Sequence, residues 1–363
     1  MSQRTTAGTP VRVPAVTAAR IPSLTGLRWI AAFLVFGFHV QAEHVFRDPT
    51  AQHLAFAIFG QGATGVDFFF VLSGFVLTWS ARPGTPARTV WRRRAAKVVP
   101  NHVVTWVIAV AGLVYFDPRS VSVVSSVLGL FLLQAWVPAE SVYYAGNTPA
   151  WSLSCEMAFY FAFPLLLVLV NRLRDRRLWP AAIALVVVVL LIPALVLPLP
   201  TDTAYWLTYV FPLTRMVEFA LGMLLARIVR AGRWPNIGLG WSMALCVAGY
   251  WLSAYLPGTF GYVAATVILI SLLVGSAAVA DVNGTWSPWR HRWCVRLGEI
   301  SFAFYLLHQI VLRFADKAFH LSALPTAAAA GLTAGLLVVT VVAALLLFNT
   351  VEQPMMRLLR GRR

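Results

Sequence analysis

The stretch LTGLRWIAAFLVFGFHV places Arg28 and His39 in one otherwise apolar run. Their spacing is about three turns of 3.6 residues, so they share a helix face, roughly 16 Å apart along its axis. An imidazole exchanges protons near neutral pH, and a guanidinium holds anions. Taken singly, the arginine reads as a snorkelling anchor and the histidine as a hydrogen-bonded structural group. Ionisable groups inside apolar runs are costly, however, and the pair on one face is a functional candidate. GATGVDFFFVLSGFVLTW brings Asp67, Gly74 and Thr78 onto one face at i, i+7 and i+11. The aspartate either pairs structurally or serves a site; the glycine permits close approach of a helix or a ligand. RTVWRRRAAKVVPNHVVTW gathers Arg92, Arg93, Arg94 and Lys97 ahead of Pro100. Such a cluster marks topology or docks a phosphorylated ligand. In PAWSLSCEMAFYFAFP, Glu156 is expected on the same side as His39, where a carboxylate can hold an imidazole tautomer. Its neighbour Cys155 reads as a small apolar residue, because no Cys–His spacing accompanies it. In LGEISFAFYLLHQIVLRF, Ser301, Tyr305 and His308 form one polar stripe at i, i+4 and i+7. Arg215 and Glu218, at i and i+3, read as a mutually neutralising structural pair. No His, Cys or carboxylate set has metal-ligand spacing.

The elements that must position these groups follow from composition. The 363 residues are 59% hydrophobic and 12% charged, with a mean hydropathy of +0.74. A soluble domain is about 45–50% apolar and about 25% charged, so this excess does not fit one water-soluble core. Disordered chains are poor in apolar residues, and 3 cysteines make no disulfide framework. An all-α, polytopic transmembrane bundle remains.

A spanning helix needs roughly 17–25 apolar residues. Candidate stretches are 24–40, 56–79, 98–116, 121–137, 149–170, 178–197, 205–226, 237–256, 262–280, 297–314 and 326–348. The net charge of +16 tests this count. Basic clusters at 4–20, 82–97, 172–177, 227–233, 290–296 and 357–363 hold 23 of the 29 Lys and Arg residues. Crossing at every stretch would split the clusters between two sides. They share one side if 121–137, which begins Ser-rich, is re-entrant or half-crossing. The expectation is therefore about ten spanning helices plus that segment, with both termini and all six clusters cytoplasmic. Residues 1–20 read as a disordered tail, 21–354 as one integral-membrane domain and 355–363 as a basic tail. The cations then need no nucleic acid to explain them.

In this order the segments resemble the integral-membrane acyltransferase 3 family over 21–354. The resemblance rests on Arg-x10-His (Arg28, His39), GVDFFFVLSGF, the basic run ending in Pro100, WSLSCEMAFYFAFP, ISFAFYLLH and VEQP. It implies ten transmembrane helices and transfer of an acyl group from acyl-CoA to a hydroxyl, with the Arg28–His39 pair essential. The family associates an Arg-x-x-Arg motif before the third helix with acyl-CoA. Arg94 and Lys97 stand there, keeping the charge but losing one bidentate fork. KVVPNHVVTW looks like actinomycete enzymes that acylate sugar or lactone hydroxyls of macrolide antibiotics.

The expected enzyme is thus an O-acyltransferase of the bacterial cytoplasmic membrane. Its partners are acyl-CoA, a hydroxylated macrolide and the lipid bilayer, with no permanently bound cofactor. Arg28, Arg92, Arg93, Arg94 and Lys97 would hold coenzyme A, and His39 would act as general base. Glu156 or Asp67 would orient the imidazole, and Ser73 and Tyr305 would serve the oxyanion. Ser301 and His308 are further candidates. O-acetylation of a surface polysaccharide or peptidoglycan is the alternative acceptor chemistry. A secondary transporter is more distant, since no internal repeat is visible.

Overall fold

The structure, a computed structural model, describes residues 20–359. The expected tails fall largely outside this range, although Gln353–Leu359 is helical. Along the chain the helices are α1 (Pro22–Ala42), α2 (Pro49–Phe59), α3 (Gly65–Ser80), α4 (Ala87–Phe116) and α5 (Val123–Leu130). They continue with α6 (Glu140–Tyr143), α7 (Ala150–Arg172), α8 (Leu178–Val196), α9 (Thr201–Tyr205) and α10 (Pro212–Arg230). The last are α11 (Leu239–Leu252), α12 (Val263–Val282), α13 (Arg292–Phe319), α14 (Thr326–Leu347) and α15 (Gln353–Leu359).

Among the described residues, 9 helical segments are long and apolar enough to cross a membrane. The chain is a polytopic helical membrane protein. The expected crossing at 237–256 is α11, which has 14 residues and packs along α12. Its 14 residues span about 21 Å. With the turn Ser253–Tyr255 that follows, the segment runs from Ser242, bonded to Ser276 near the end of α12, to Ser253, bonded to Gln61, so the chain passes from one end of the bundle to the other. The stretch 121–137 does not cross. It folds as the 8-residue α5 and a single turn at Gln134–Trp136.

Lipid is as apolar as leucine, so the outer helices need no polar face. In α8 the run ALVVVVLLIPALV turns Leu191 and Leu195 outward; Val338 and Val342 do the same on α14. Most buried polar groups lie instead on α1, α3, α4, α7, α10, α12 and α13, and of these α1, α3, α10, α12 and α13 form the centre of the bundle. Small residues let these central helices touch. A methyl group on Gly74 would lie 1.9 Å from the Phe219 carbonyl oxygen, and one on Gly222 would lie 1.9 Å from that of Val71. Here α3 and α10 cross in backbone contact. Where α1 meets α13, a methyl on Gly298 would lie 1.8 Å from the Thr25 carbonyl oxygen. Gly222→Val is therefore expected to push α10 off α3, at a cost of about 1–3 kcal/mol for overpacking. A lower Tm in detergent checks this; an unchanged Tm would show that the crossing is not tight.

One end of the bundle gathers the arginines. Asp281, at the end of α12, accepts from Ser23 N at 2.8 Å, Ser23 Oγ at 2.7 Å and Arg290 Nε at 2.7 Å. Arg227 donates to the Val170 carbonyl at 2.9 Å and meets Asp175 at 3.2 Å. Arg230 donates to the Trp79 carbonyl. This end is called the arginine-rich face below.

Candidate active site

His39 lies near the far end of α1. Its Nδ1 is 2.9 Å from the Val35 carbonyl oxygen and 3.2 Å from His308 Nε2 on α13. His308 is fully buried, and its own Nδ1 lies 2.6 Å from the Tyr305 carbonyl oxygen. These partners assign the tautomers. His308 donates from Nδ1 to that carbonyl, which leaves Nε2 as an acceptor. His39 then carries its proton on Nδ1, shared between the Val35 carbonyl and His308. Its Nε2 is left basic, and no described residue hydrogen-bonds it. The ring borders an outer chamber of about 540 Å³ whose other walls include Trp151, Tyr205, Tyr209 and Tyr262. Tyr144 closes one side and hydrogen-bonds the Tyr205 hydroxyl.

A smaller cavity, about 100 Å³, lies deeper in the bundle. Arg28, Arg94, Lys97, Glu156, Tyr160 and Ser73 line it. Tyr160 donates to Glu156 at 2.6 Å, and Ser73 donates to Tyr160 at 3.3 Å. The Arg94 guanidinium stands 5.9 Å from the centre of the Tyr160 ring. A single π-helical turn, Phe348–Glu352, precedes α15 and carries Glu352 inward. There it accepts from Asn101 Nδ2 at 2.7 Å and acts electrostatically on Arg28 and Lys97. Three cations thus face two carboxylates, an arrangement with room for an anion.

On the arginine-rich face a third cavity, about 660 Å³, is bordered by Arg82, Arg93, Arg94, Arg227, Arg230 and Asn171. It shares Leu77 and Arg94 with the inner cavity. The inner cavity shares Val66 and Tyr305 with the outer chamber. From Leu77 to Val66 along α3 is about 16 Å at ~1.5 Å per residue. The three spaces form a series from the arginine-rich face to His39.

Most sequence candidates border this series, but their partners differ from those expected. Glu156 does not orient the imidazole; it is held by Tyr160 among the cations. Asp67 does not do so either. The α3–α10 crossing brings it to Arg215, with Nη2 2.5 Å from its Oδ1, and Thr266 donates to its Oδ2 at 3.1 Å. Arg215 also meets Glu218 at 2.8 Å, so the expected pair is part of a buried trio. Gly74 serves helix contact with α10. His308 and the Val35 carbonyl take the orienting place instead. Tyr305 sits at the join of the two inner spaces, its hydroxyl 2.9 Å from Ser152 Oγ and 3.2 Å from the Pro149 carbonyl oxygen. Ser301 lines the inner cavity but donates to the Gly298 carbonyl at 2.8 Å. Cys155 is buried and donates to the Val210 carbonyl at 3.2 Å, consistent with its apolar reading. Arg92 is exposed and borders none of the three spaces. Arg227 and Arg230 were legible only as topology signals, although their i, i+3 spacing already put them on one side of α10.

Residues 21–348 match the family described as "Acyltransferase domain". The chain is 39% identical to "Acyltransferase MdmB" of Streptomyces mycarofaciens, over 95% of the chain and 94% of that protein. It is 29% identical to "Exopolysaccharide production protein ExoZ" of Rhizobium meliloti, over 71% of the chain and 78% of that protein. It is 27% identical to "Peptidoglycan O-acetyltransferase OatA" of Listeria monocytogenes, over 44% of the chain and 26% of that protein. No solved structure matches the chain.

Proposed function

The chain belongs to the integral-membrane acyltransferase family whose domain occupies residues 21–348, and from that premise we propose that it carries an acyl group from acyl-CoA to a macrolide hydroxyl, with His39 as general base. The observation that carries this reading is the series of three spaces. A basic cavity on one face adjoins a smaller one bordered by Arg28, Arg94, Lys97 and Glu156, and that one adjoins a tyrosine-lined chamber with a basic imidazole nitrogen in its wall. Coenzyme A has an anionic nucleotide head and a thin thioester arm, and each part fits one stage of that route.

In this proposal the phosphates rest against Arg82, Arg93, Arg227 and Arg230, with Arg94 and Lys97 at the smaller cavity. The arginine-rich face is cytoplasmic by the positive-inside rule. The arm passes Arg28 and Ser73 and brings the thioester to the join at Tyr305. The acceptor hydroxyl enters the outer chamber and gives its proton to His39 Nε2 as its oxygen bonds to the thioester carbon. The carbonyl oxygen becomes an oxyanion, which the Tyr305 hydroxyl at the join can stabilise once its proton turns from the Pro149 carbonyl, to which Ser152 also donates at 3.0 Å. As the carbonyl re-forms, the C–S bond breaks, and the departing thiolate takes the proton from the imidazolium. His308 keeps the ring in the reactive tautomer, as a positioning residue.

The chamber, about 540 Å³ and rich in aromatic rings, suits an apolar polyhydroxylated small molecule. The near full-length match to the Streptomyces acyltransferase supports acyl transfer as the reaction. A second reading, O-acetylation of surface polysaccharide or peptidoglycan, draws on the other two relatives. Membranes containing the protein, incubated with acyl-CoAs of several lengths and either macrolides or glycan fragments, separate the readings by mass spectrometry. Acyl-macrolide is expected. Product only on glycan would replace the first reading with the second.

The donor site has its own test. Changing Arg94, Lys97 and Arg227 together to glutamine is expected to raise the acyl-CoA KM at least about tenfold, since hydrogen bonds to charged groups contribute ~1.5–3 kcal/mol each. The acceptor KM should change little. A donor KM that stays at the wild-type value refutes the placement of the head group.

A further inference from the structure

We infer that Gln309, held by Glu43, reads a second hydroxyl on the acceptor and so sets which hydroxyl reaches His39. This rests on the acyl-transfer reading above. Gln309 follows His308 on α13 and lines the same outer chamber as His39. It is 3% exposed, yet its Oε1 is buried with no hydrogen-bond partner among the described residues. Buried acceptors are nearly always paired, so an orphan in a cavity wall points to something that enters the cavity.

The amide orientation is not arbitrary. Gln309 Nε2 donates to Glu43 Oε1 at 2.7 Å. An ionised carboxylate only accepts, so it must face the amide nitrogen, which leaves the carbonyl oxygen for the ligand. The ligand group has to be a donor: a hydroxyl or an N–H. Its position follows from α1. Glu43 caps the end of this helix, one turn beyond His39, and the two are about 6 Å apart along the axis. On α13, His308 meets His39 and Gln309 meets Glu43. The reacting hydroxyl sits at His39, so the donor received by Gln309 is a separate group on the same molecule, displaced toward the far face. The acceptor class is accordingly a polyol that presents two donors to this wall, not a simple alcohol.

The test uses acetyl-CoA, a glycosylated macrolide and the set of its mono-O-methyl ethers. Methylation removes a donor while keeping the oxygen. In the wild type, one ether blocked at a position other than the acylated hydroxyl is expected to lose roughly 10- to 100-fold in kcat/KM, the effect of leaving one buried hydrogen bond unmade. In Gln309→Met that ether and the parent should react at similar rates. Glu43→Lys, at an exposed position, supplies an independent check. The lysine would donate to Oε1 and turn Nε2 toward the ligand, and because a hydroxyl and an ether oxygen both accept, the ether and the parent should then react at similar rates. Equal reaction of all such ethers in the wild type overturns the inference, as does an unchanged ether penalty in both variants. Either result leaves acyl transfer itself standing. Failure of the wild type to acylate the parent macrolide overturns the reading on which the inference rests, and the inference with it.

Discussion

His39→Ala is expected to abolish measurable acyl transfer, with a loss of at least the ~10²–10⁴-fold that a positioned general base contributes. The protein should still reach the membrane. His39 packs at the end of α1, whereas the helix crossings rest on glycines elsewhere, at Gly74, Gly222 and Gly298. Transfer and insertion are therefore separable readouts. His308→Leu removes the partner of Nδ1 but leaves the Val35 carbonyl in place. Its loss should be smaller, about tenfold, and should fall on kcat more than on KM for either substrate. Full activity in His39→Ala ends the assignment of the base. An equal loss in both variants would make the two rings one catalytic unit.

The second large effect is on stability. Arg215 is fully buried between Asp67 at 2.5 Å and Glu218 at 2.8 Å. Its guanidinium also lies 5.0 Å from the ring centre of Phe70 and 5.2 Å from that of Tyr209. Arg215→Leu would leave two carboxylates facing each other without a cation. Breaking a buried ion pair from one side costs about 3–5 kcal/mol, because the remaining charge is uncompensated. The single variant should aggregate on detergent extraction or unfold at a much lower temperature. Removing all three charges, with Arg215→Leu, Asp67→Leu and Glu218→Leu, should recover much of that loss, since apolar replacement of a whole buried cluster is often neutral or better. If the triple variant is no more stable than the single one, the trio stabilises by packing and not by charge balance.

The sequence and the fold agree most closely where the bilayer dictates the answer. Apolar runs and arginine clusters located the spans, because both follow directly from hydrophobic thickness and charge placement. The non-crossing stretch 121–137 was legible from the same charge bias. Candidate residues were legible for a related reason: an ionisable group in an apolar run has few uses. Their partners were less accessible. Glu156 and Tyr160 are one helical turn apart, yet the carboxylate was assigned to a histidine on another helix. Asp67 and Arg215 are separated by 148 positions and meet only through the close crossing at Gly74 and Gly222. Glycine spacing showed that some helix would approach, but not which. Gln309 went unread because a neutral amide in an apolar helix carries no charge signal. Only the orphaned oxygen in a cavity wall distinguishes it.

The narrow middle of the route has a consequence for the cell as well as for the reaction. Its volume of about 100 Å³ is less than a fifth of that of either neighbouring space. A wide, wet passage between the two faces would conduct ions and drain the gradients the bilayer maintains. Here the middle space is the smallest of the three, and cations from α1 and α4 converge there with a carboxylate from α7. In the proposed reaction a slender thioester arm would fill this constriction and leave little room for water. On that reading the protein would act as an airlock, passing a chemical group between two compartments without joining their solvents.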